Sequence, residues 1–322
     1  MVTRLGPGRE FDLIRSYLDT GGAAPGPAVR VGPGDDCAVV TGEGVAISVD
    51  MVVEDVHFRR SWIEPDEVGW HAAAAALSDL AAMAARPIGV LASVALGPGD
   101  EDGAGKRVMV GLAAAAGNVG GALLGGDVTR SPGPLVIDVT AIGDAPRPVL
   151  RAGARPGHEV WVTGELGAAA AAVAAWTDGR DPDPRARSAF ARPVPRTEEA
   201  LWLLARDVPA AMVDLSDGIA GDAGHLAAAG GVRLVIRAPD LPIAPAAAGP
   251  DAVRLAAAGG EDYELCFTAE AGAVERVRED FVARFGTPLT RVGRVEDGGG
   301  AVVVDGSGEV LTLEAFQHWG RP

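Results

Sequence analysis

Two runs of apolar segments, separated by a short stretch of different composition, most restrict the fold of this 322-residue chain. In each run, valine-rich segments of strand length alternate with alanine-rich segments of helix length. The separating stretch, PRPVLRAGARPG (146–157), is rich in proline, glycine and arginine. At roughly 100–200 residues per domain, this pattern predicts two domains of the α+β or α/β class, residues 1–147 and 148–322.

The local patterns predict where the main elements lie. In the first run we expect helices at 9–18, 65–85 and 106–120, and strands at 45–58, 88–96 and 134–143. In the second run we expect a strand, turn and helix over 210–231, and further strands at 231–238, 261–269 and 301–306. Residues 176–200 are polar and proline-rich, which predicts a loop.

Two aspartates stand inside apolar segments, where a charge is costly. Asp79 lies in a helix of Ala, Leu and Met, and Asp50 lies in a valine-rich strand, where Asp is disfavoured. A buried carboxylate costs several kcal/mol unless it is neutralised, hydrogen-bonded or bound to a metal. A polar stripe facing water remains the alternative for each residue taken alone.

Further carboxylates stand at glycine turns or helix starts. Asp127 follows Gly125-Gly126 and is expected in a turn. A role as helix N-cap explains one residue of the DLSDG stretch but not all of them. Together these carboxylates predict a cleft for hard cations, since Mg²⁺ prefers oxygen ligands and substrate phosphates. The remaining members of the set are Asp35, Asp36, Asp214, Asp217, Glu261 and Asp262.

Charge and missing motifs exclude several classes of protein. A net charge of −16 argues against nucleic acid as a partner, because phosphate backbones are bound by Lys and Arg stripes. The chain has no P-loop, dinucleotide fingerprint, protein-kinase motif set or zinc-type cysteine spacing. The histidines are scattered, and His71 and His225 are expected to be ordinary helix residues. We also expect a cytoplasmic protein without a membrane span, because the apolar runs are shorter than about 20 residues.

Seven motifs follow one another along the chain. They are GPGDDCAVV (32–40), ISVDMVVEDVHF (47–58), ALSDLAAMAARP (76–87), GGDVTR (125–130), LRAGARPGHEVWVTG (150–164), DLSDGIAGDAGHL (214–226) and GGEDYELCF (259–267). In this order they resemble the thiamine-monophosphate kinase family, over most of the chain. The resemblance implies an N-terminal domain whose sheet dimerises into a barrel, and a C-terminal α/β domain that completes an active-site cleft. It implies phosphorylation of thiamine monophosphate by ATP with several Mg²⁺ ions, in a homodimer.

The resemblance also implies a role for each residue that matches a family motif. The implied metal ligands are Asp36, Ser48, Val49, Asp50, Asp79, Asp127, Asp214 and Asp217. The implied ATP contacts are Asp36, Gly126, Asp127, Arg151 and Ser216, with Arg151 also stabilising charge during transfer. The implied substrate contacts are His57, Glu261 and Trp319. No residue is expected to act as general base, because the acceptor is itself a phosphate.

Two departures from the family pattern are visible. Val49 stands where the family usually has Thr, so a ligand role there depends on the backbone carbonyl, and Asp55 stands where the family motif EGVHF has Gly. Two alternatives remain open from the sequence. The chain could use ATP with a different acceptor, like other members of its superfamily, or bind nucleotide and Mg²⁺ without catalysis.

Overall fold

The computed structural model describes residues 29–31, 38–40, 44–100 and 103–313. The predicted helix at 9–18, the Asp35/Asp36 pair and Trp319 lie outside these residues. The described strands are β1 (Val29–Val31), β2 (Ala38–Val40), β3 (Val45–Val53), β4 (Arg86–Leu96), β5 (Ala122–Arg130), β6 (Val136–Asp144), β7 (Glu159–Thr163), β8 (Ala211–Asp214), β9 (Arg233–Arg237), β10 (Leu265–Ala269), β11 (Leu289–Glu296) and β12 (Gly300–Val304). The described α-helices are α1 (Pro65–Ala82), α2 (Ala104–Asn118), α3 (Ala168–Thr177), α4 (Pro184–Ala191), α5 (Thr197–Leu204), α6 (Ile219–Gly230), α7 (Ala252–Ala258) and α8 (Arg278–Phe285).

The first sheet has the strand order β1-β2-β3-β6-β4-β5 over the described residues. Its strands pair antiparallel except β4 with β5, which are parallel. Along β3 the side chains alternate between a buried face and an exposed face, as expected for a sheet covered on one side. Val49 and Met51 lie on the exposed face, whereas Ser48 and Val52 lie on the face that α1 covers.

Helix α1 has a clear start signal and an apolar body. Pro65 occupies its first turn, and the backbone N–H of Glu64 donates to the Glu67 carboxylate at 2.9 Å, which is one half of a capping box. The alanine-rich body lets α2 approach closely. A Cβ atom at Gly111 of α2 would lie 1.9 Å from the Asp66 carbonyl oxygen, so the crossing requires glycine.

The second sheet has the order β12-β9-β11-β7-β10-β8 over the described residues. Its pairs are antiparallel except β9 with β12, which are parallel. Helix α6 packs on this sheet, and its buried residues join Val160, Val162 and Leu234 in one apolar core. Helices pack against both sheets, so the predicted two-domain fold of the α+β or α/β class is confirmed.

The prediction of a loop over 176–200 is wrong, because the structure has α4 and the start of α5 there. Asp183 caps α4 by accepting from the Arg185 backbone N–H at 2.8 Å, and Pro184 stands in the first turn. Those two signals favour a helix start. The segment is short and polar, however, and its overall composition indicated a loop. In the described part of the chain, no helix has both the length and the hydropathy needed to cross a bilayer.

The N-terminal half of α1 is fastened to the segment around α4. Arg187 donates to both carboxylate oxygens of Glu67, at 2.9 and 2.7 Å, and Arg192 donates to Asp66 at 2.8 Å. The Trp70 indole N–H donates to the Pro193 carbonyl at 2.8 Å. These contacts join the first sheet domain to the second.

Candidate active site between the two sheets

A cavity of about 1140 Å³ lies between elements of both domains. Five of the residues singled out from the sequence line it, and they come from segments far apart in the chain. Strand β3 and the turn after it supply Asp50 and His57, whereas the second domain supplies Ser216, Asp217 and Glu261. The sequence therefore selected residues that the fold brings to one place.

The two loops that carry Ser216, Asp217 and Glu261 are held together by hydrogen bonds between their backbones. The Glu261 N–H donates to the Ser216 carbonyl at 2.8 Å, and the Tyr263 N–H donates to the Leu215 carbonyl at 2.8 Å. A Cβ atom at Gly260 would lie 2.4 Å from the Ser216 carbonyl oxygen, which explains the glycine. The DLSDG and GGEDYEL motifs thus form one unit, and this unit presents Ser216 and Glu261 side by side.

On the first domain, strand β3 and helix α1 bring their polar residues into contact. The Ser48 hydroxyl donates a hydrogen bond to the Asp79 carboxylate. Asp50 is two residues further along β3, on the same face as Ser48. The Val49 side chain lies on the opposite, exposed face, so only its backbone could serve this site.

The electrostatic surroundings of Asp50 oppose its charge. Burial and the nearby carboxylate of Glu261 raise the pKa of Asp50 to about 6. The His71 side chain, which acts in the opposite direction, compensates only in part. A bound cation would relieve this repulsion, so Asp50 suits a metal ligand chemically.

A second acidic group lies in the other domain, at the start of α6. Asp214 and Asp222 are buried, and the Asp217 backbone N–H donates to the Asp222 carboxylate at 3.1 Å. Burial and the charges of Asp217 and Asp214 raise the pKa of Asp222, while the charge of Arg151 lowers it. Arg151 therefore lies close enough to this group to offset part of its charge.

Asp222 was not among the residues predicted from the sequence. It stands in an apolar helix five residues after Asp217, and a carboxylate in the first helical turn is ordinarily explained by the helix dipole. Its complete burial beside two other carboxylates is the signal that only the fold provides.

His57 and Asp55 belong to the tight turn after β3. The Val53 N–H donates to His57 Nδ1 at 3.0 Å, so the proton of the neutral ring is on Nε2. Asp55 has a φ of 65°, in the left-handed region that favours glycine and that Asp tolerates. The departure at Asp55 therefore leaves the turn that positions His57 in place.

His71 and Tyr263 are functional candidates that the sequence did not reveal. His71, expected to be an ordinary helix residue, has Nε2 2.9 Å from the Glu261 carboxylate and Nδ1 2.7 Å from the Phe190 carbonyl oxygen. The Tyr263 hydroxyl donates to the same carboxylate at 2.8 Å. Nothing near His71 in the sequence points to Glu261, which is 190 positions away.

An aromatic wall closes one side of the cavity. Trp62 and Phe190 line it, and Trp62 stacks on Trp176 with ring centroids 5.1 Å apart and planes within 6°. The Phe190 ring meets Trp62 and Trp176 edge-on. Such a wall beside carboxylates suits a flat cationic ring.

Gly126 and Asp127 differ from the expectation of a glycine turn. Both lie within strand β5, at the exposed edge of the first sheet. A Cβ atom at Gly126 would lie 1.9 Å from the Ala92 carbonyl oxygen, so close approach to β4 explains this glycine. Asp127 pairs in register with Ser93 and is not among the residues that line the cavity.

The donor set fits magnesium better than a softer metal, because it consists of carboxylate and hydroxyl oxygens. Within the described ranges, no three His, Cys, Asp or Glu side chains are already arranged as a metal site. Asp50 from the first domain and Asp217 from the second instead line the same cavity. Proteins usually hold Mg²⁺ through one or two carboxylates together with substrate phosphates.

Comparisons with known proteins agree on one family. The models of the AIR synthase related protein N-terminal and C-terminal domains match residues 34–145 and 155–306. A thiamine-monophosphate kinase from Mycobacterium tuberculosis is 36% identical over 313 residues, which cover 91% of this chain and 87% of the relative.

Two solved structures are similar over nearly the whole chain. AaThiL complexed with AMPPCP and TMP superposes with a TM-score of 0.82 at 29% identity, covering 98% of this chain and 97% of its own. The thiamine-monophosphate kinase from Stenotrophomonas maltophilia gives a TM-score of 0.75 at 33% identity, covering 95% and 98%.

Proposed function

Because this chain belongs to the thiamine-monophosphate kinase family of AIR synthase related proteins, we propose that it transfers the γ-phosphoryl group of ATP to thiamine monophosphate. The products are thiamine diphosphate and ADP. The observation that carries the proposal is the single cavity in which Asp50, His57, Ser216, Asp217 and Glu261 meet from two domains. In this proposal, residues 1–147 and 148–322 are the two domains that close the site.

The substrate end of the site is the part with Glu261, His57 and the aromatic wall. Thiamine carries a flat ring with a permanent positive charge, which a carboxylate and aromatic faces both attract. Glu261 supplies the carboxylate, and Trp62 and Phe190 supply ring faces and edges along the cavity. The Nε2–H of His57 is a hydrogen-bond donor for the substrate, and Trp319 completes this end in the proposal.

The nucleotide end is the part with the two acidic groups. We assign Asp36, Gly126, Asp127, Arg151 and Ser216 to ATP. Magnesium would be held by Asp36, Ser48, Asp50, Asp79, Asp127, Asp214 and Asp217, with the Val49 backbone as a further ligand. When bound, the ions neutralise phosphate charge and so let two anionic substrates approach.

The transfer itself needs positioning and charge neutralisation more than proton transfer. A phosphate oxygen of thiamine monophosphate attacks the γ-phosphorus, the bond to the β,γ-bridging oxygen breaks, and ADP leaves with that electron pair. The acceptor phosphate is already ionised near neutral pH, so no side chain has to remove a proton. Arg151, close to the Asp222 group, offsets charge on the transferred phosphoryl group.

The proposal includes a homodimer, formed by the exposed face of the first sheet. Val49, Met51, Ile88 and Leu91 are large apolar side chains that are each at least 38% exposed there. Apolar patches of this kind are rare on monomers and typical of subunit contacts. A second copy of the sheet would cover them. We place the enzyme in the cytoplasm, where ATP is available.

The test is incubation of the purified chain with ATP, Mg²⁺ and thiamine monophosphate, followed by chromatographic quantification of thiamine diphosphate and ADP. We expect both products in equal amounts and no thiamine diphosphate when Mg²⁺ is removed with EDTA. Free thiamine replaces the monophosphate as the matched acceptor control. Preference for free thiamine, or nucleotide binding without any product, would contradict the proposal.

A further inference from the structure

His71 is a buried histidine in an alanine-rich helix, and it contacts the second domain with both ring nitrogens. The residue is 1% exposed. Its Nδ1 lies 2.7 Å from the Phe190 carbonyl oxygen, and its Nε2 lies 2.9 Å from Glu261 Oε2. Both partners belong to segments that border the cavity.

The chemistry of the two partners fixes where the protons are. A backbone carbonyl only accepts, so Nδ1 donates to Phe190. An ionised carboxylate also only accepts, so Nε2 carries a proton as well, and the ring is an imidazolium paired with Glu261. Burial alone would lower the pKa of His71, but the charge of Glu261 and the hydrogen bonds to it outweigh burial and raise that pKa. Burial likewise would raise the pKa of Glu261, and His71 lowers it overall.

The contacts also orient the carboxylate. The Tyr263 hydroxyl donates to Oε2 of Glu261, the same oxygen that His71 contacts. Among the described residues both side-chain partners use this oxygen, so Oε1 is the atom available to a ligand in the cavity. The His71 ring is itself held by Phe190 and Tyr263, at centroid distances of 5.0 and 6.0 Å.

We infer that His71 is a positioning residue that keeps Glu261 ionised and turned toward the cavity, so that Glu261 attracts the cationic ring of the substrate. This inference rests on the proposed function, because it assigns the substrate cation to Glu261. It adds a residue of the first domain to the binding end of the site, although His71 itself does not line the cavity.

The neighbouring charges explain why Glu261 needs this partner. Glu261 faces Asp50 across the cavity, and the charges of the two carboxylates oppose each other. Without His71, the partly exposed Glu261 would bind a proton more readily, and a neutral carboxyl group attracts a cation only weakly. The groups that face the pair are Asp50 from β3, His57 from the following turn and Tyr263 from the loop before β10. Among these groups, Tyr263 also donates to Oε2, but its hydroxyl carries no positive charge.

The experiment measures KM for each substrate separately in three variants, His71→Gln, Glu261→Gln and the double variant. We expect His71→Gln to raise KM for thiamine monophosphate about tenfold, equivalent to about 1.4 kcal/mol, and to leave KM for ATP within about twofold. In the Glu261→Gln background, His71→Gln should change KM for thiamine monophosphate less than about twofold, since the group it acts through is gone. His158→Gln, a half-buried histidine outside this cavity, is the matched control and should change neither constant.

The split between the two KM values separates positioning from folding. A partly unfolded variant has less active enzyme, so its maximal rate falls while both KM values stay unchanged. Additive effects of the two substitutions, or an equal rise of both KM values, would overturn the inference. If the wild-type enzyme makes no thiamine diphosphate, the proposed function fails; if it does and His71→Gln has a normal KM, only the role of His71 fails.

A measurement on the wild-type enzyme covers the case in which His71→Gln does not fold. As pH rises above the raised pKa of His71, Nε2 loses the proton that it donates to Oε2 of Glu261. The carboxylate is then no longer held in position, so KM for thiamine monophosphate should rise. KM for ATP should not follow the same curve, and Glu261→Gln should lose the pH dependence. The same pH dependence of KM for thiamine monophosphate in the wild type and in Glu261→Gln would refute the positioning role.

Discussion

Replacing Arg196 with Met tests what holds the Glu261 loop in place. Arg196, at the start of α5, donates to both carboxylate oxygens of Glu264, with Nε 2.8 Å from Oε2. Glu264 is 4% exposed, and the Thr163 hydroxyl donates to it at 2.6 Å. The substitution keeps an apolar stem but leaves a buried carboxylate without its cation.

The expected cost is large because the partner left behind is buried. Breaking a buried ion pair by removing one member costs roughly 3–5 kcal/mol. A domain of this size loses roughly 2–4 °C of melting temperature per kcal/mol, so Arg196→Met should melt about 6–20 °C lower. The double variant Arg196→Met/Glu264→Gln should recover part of that loss, because it removes the uncompensated charge.

The measurement is thermal unfolding followed by circular dichroism and by tryptophan fluorescence, at one protein concentration. Arg294→Met is the matched control, since Arg294 pairs with Glu296 at 2.6 Å but the side chains are 55% and 40% exposed. Exposed pairs contribute less than about 1 kcal/mol, so the control should shift by a few degrees at most. If Arg196→Met shifts no further than Arg294→Met, burial does not set the worth of this ion pair and the reasoning is refuted.

Three further predictions concern the metal site and the subunit contact. Asp79→Asn and Asp214→Asn should each lower turnover by about 100-fold or more while the melting temperature stays within a few degrees; near-normal thiamine diphosphate formation in both would contradict their assignment to Mg²⁺. Because the pKa of Asp50 is raised to about 6, the folded protein binds that proton more tightly than the unfolded chain, so stability falls as pH rises from about 4 through 6. Asp50→Asn should therefore melt higher than the wild type at pH 8 in EDTA and should lose this advantage near pH 4; an equal difference at both pH values would be inconsistent. Met51→Glu should convert the dimer to a monomer in light scattering, whereas Val110→Glu, an equally exposed apolar residue on α2, should not.

The sequence predicted the elements with strong periodicity and missed those with weak signals. Strand β3 and helix α1 were expected at 45–58 and 65–85, and the structure has them at Val45–Val53 and Pro65–Ala82. In a long segment the spacing of the apolar residues fits the period of either a helix or a strand, so the type of element follows from the pattern. Helix α4 has eight residues and draws its stability from packing against α1 and α3, which no local pattern contains.

The residues of the candidate site also fall into those that the sequence reveals and those that it does not. Asp50 and Asp79 could be recognised because a charge inside an apolar segment violates the local pattern. His71 and Asp222 could not, because each is compatible with its own helix and becomes unusual only beside residues from elsewhere. For Asp127 the local pattern was misleading. A Gly-Gly-Asp sequence is typical of a turn, but here it lies in an edge strand, where Gly126 packs closely against the Ala92 carbonyl.

Helix α1 carries residues for both ends of the site, which gives it a role beyond covering the sheet. His71 contacts Glu261 at the substrate end, and Asp79 accepts from Ser48 at the end assigned to metal and nucleotide. Eight residues of α-helix span about 12 Å at roughly 1.5 Å per residue, and the rigid backbone fixes that separation. The ion pairs from Arg187 and Arg192 to the first turn of α1 then fix the helix against the second domain. The spacing between the cation-binding carboxylate and the metal ligands is therefore set by one helix and not by the flexible loops that carry most of the acidic motifs.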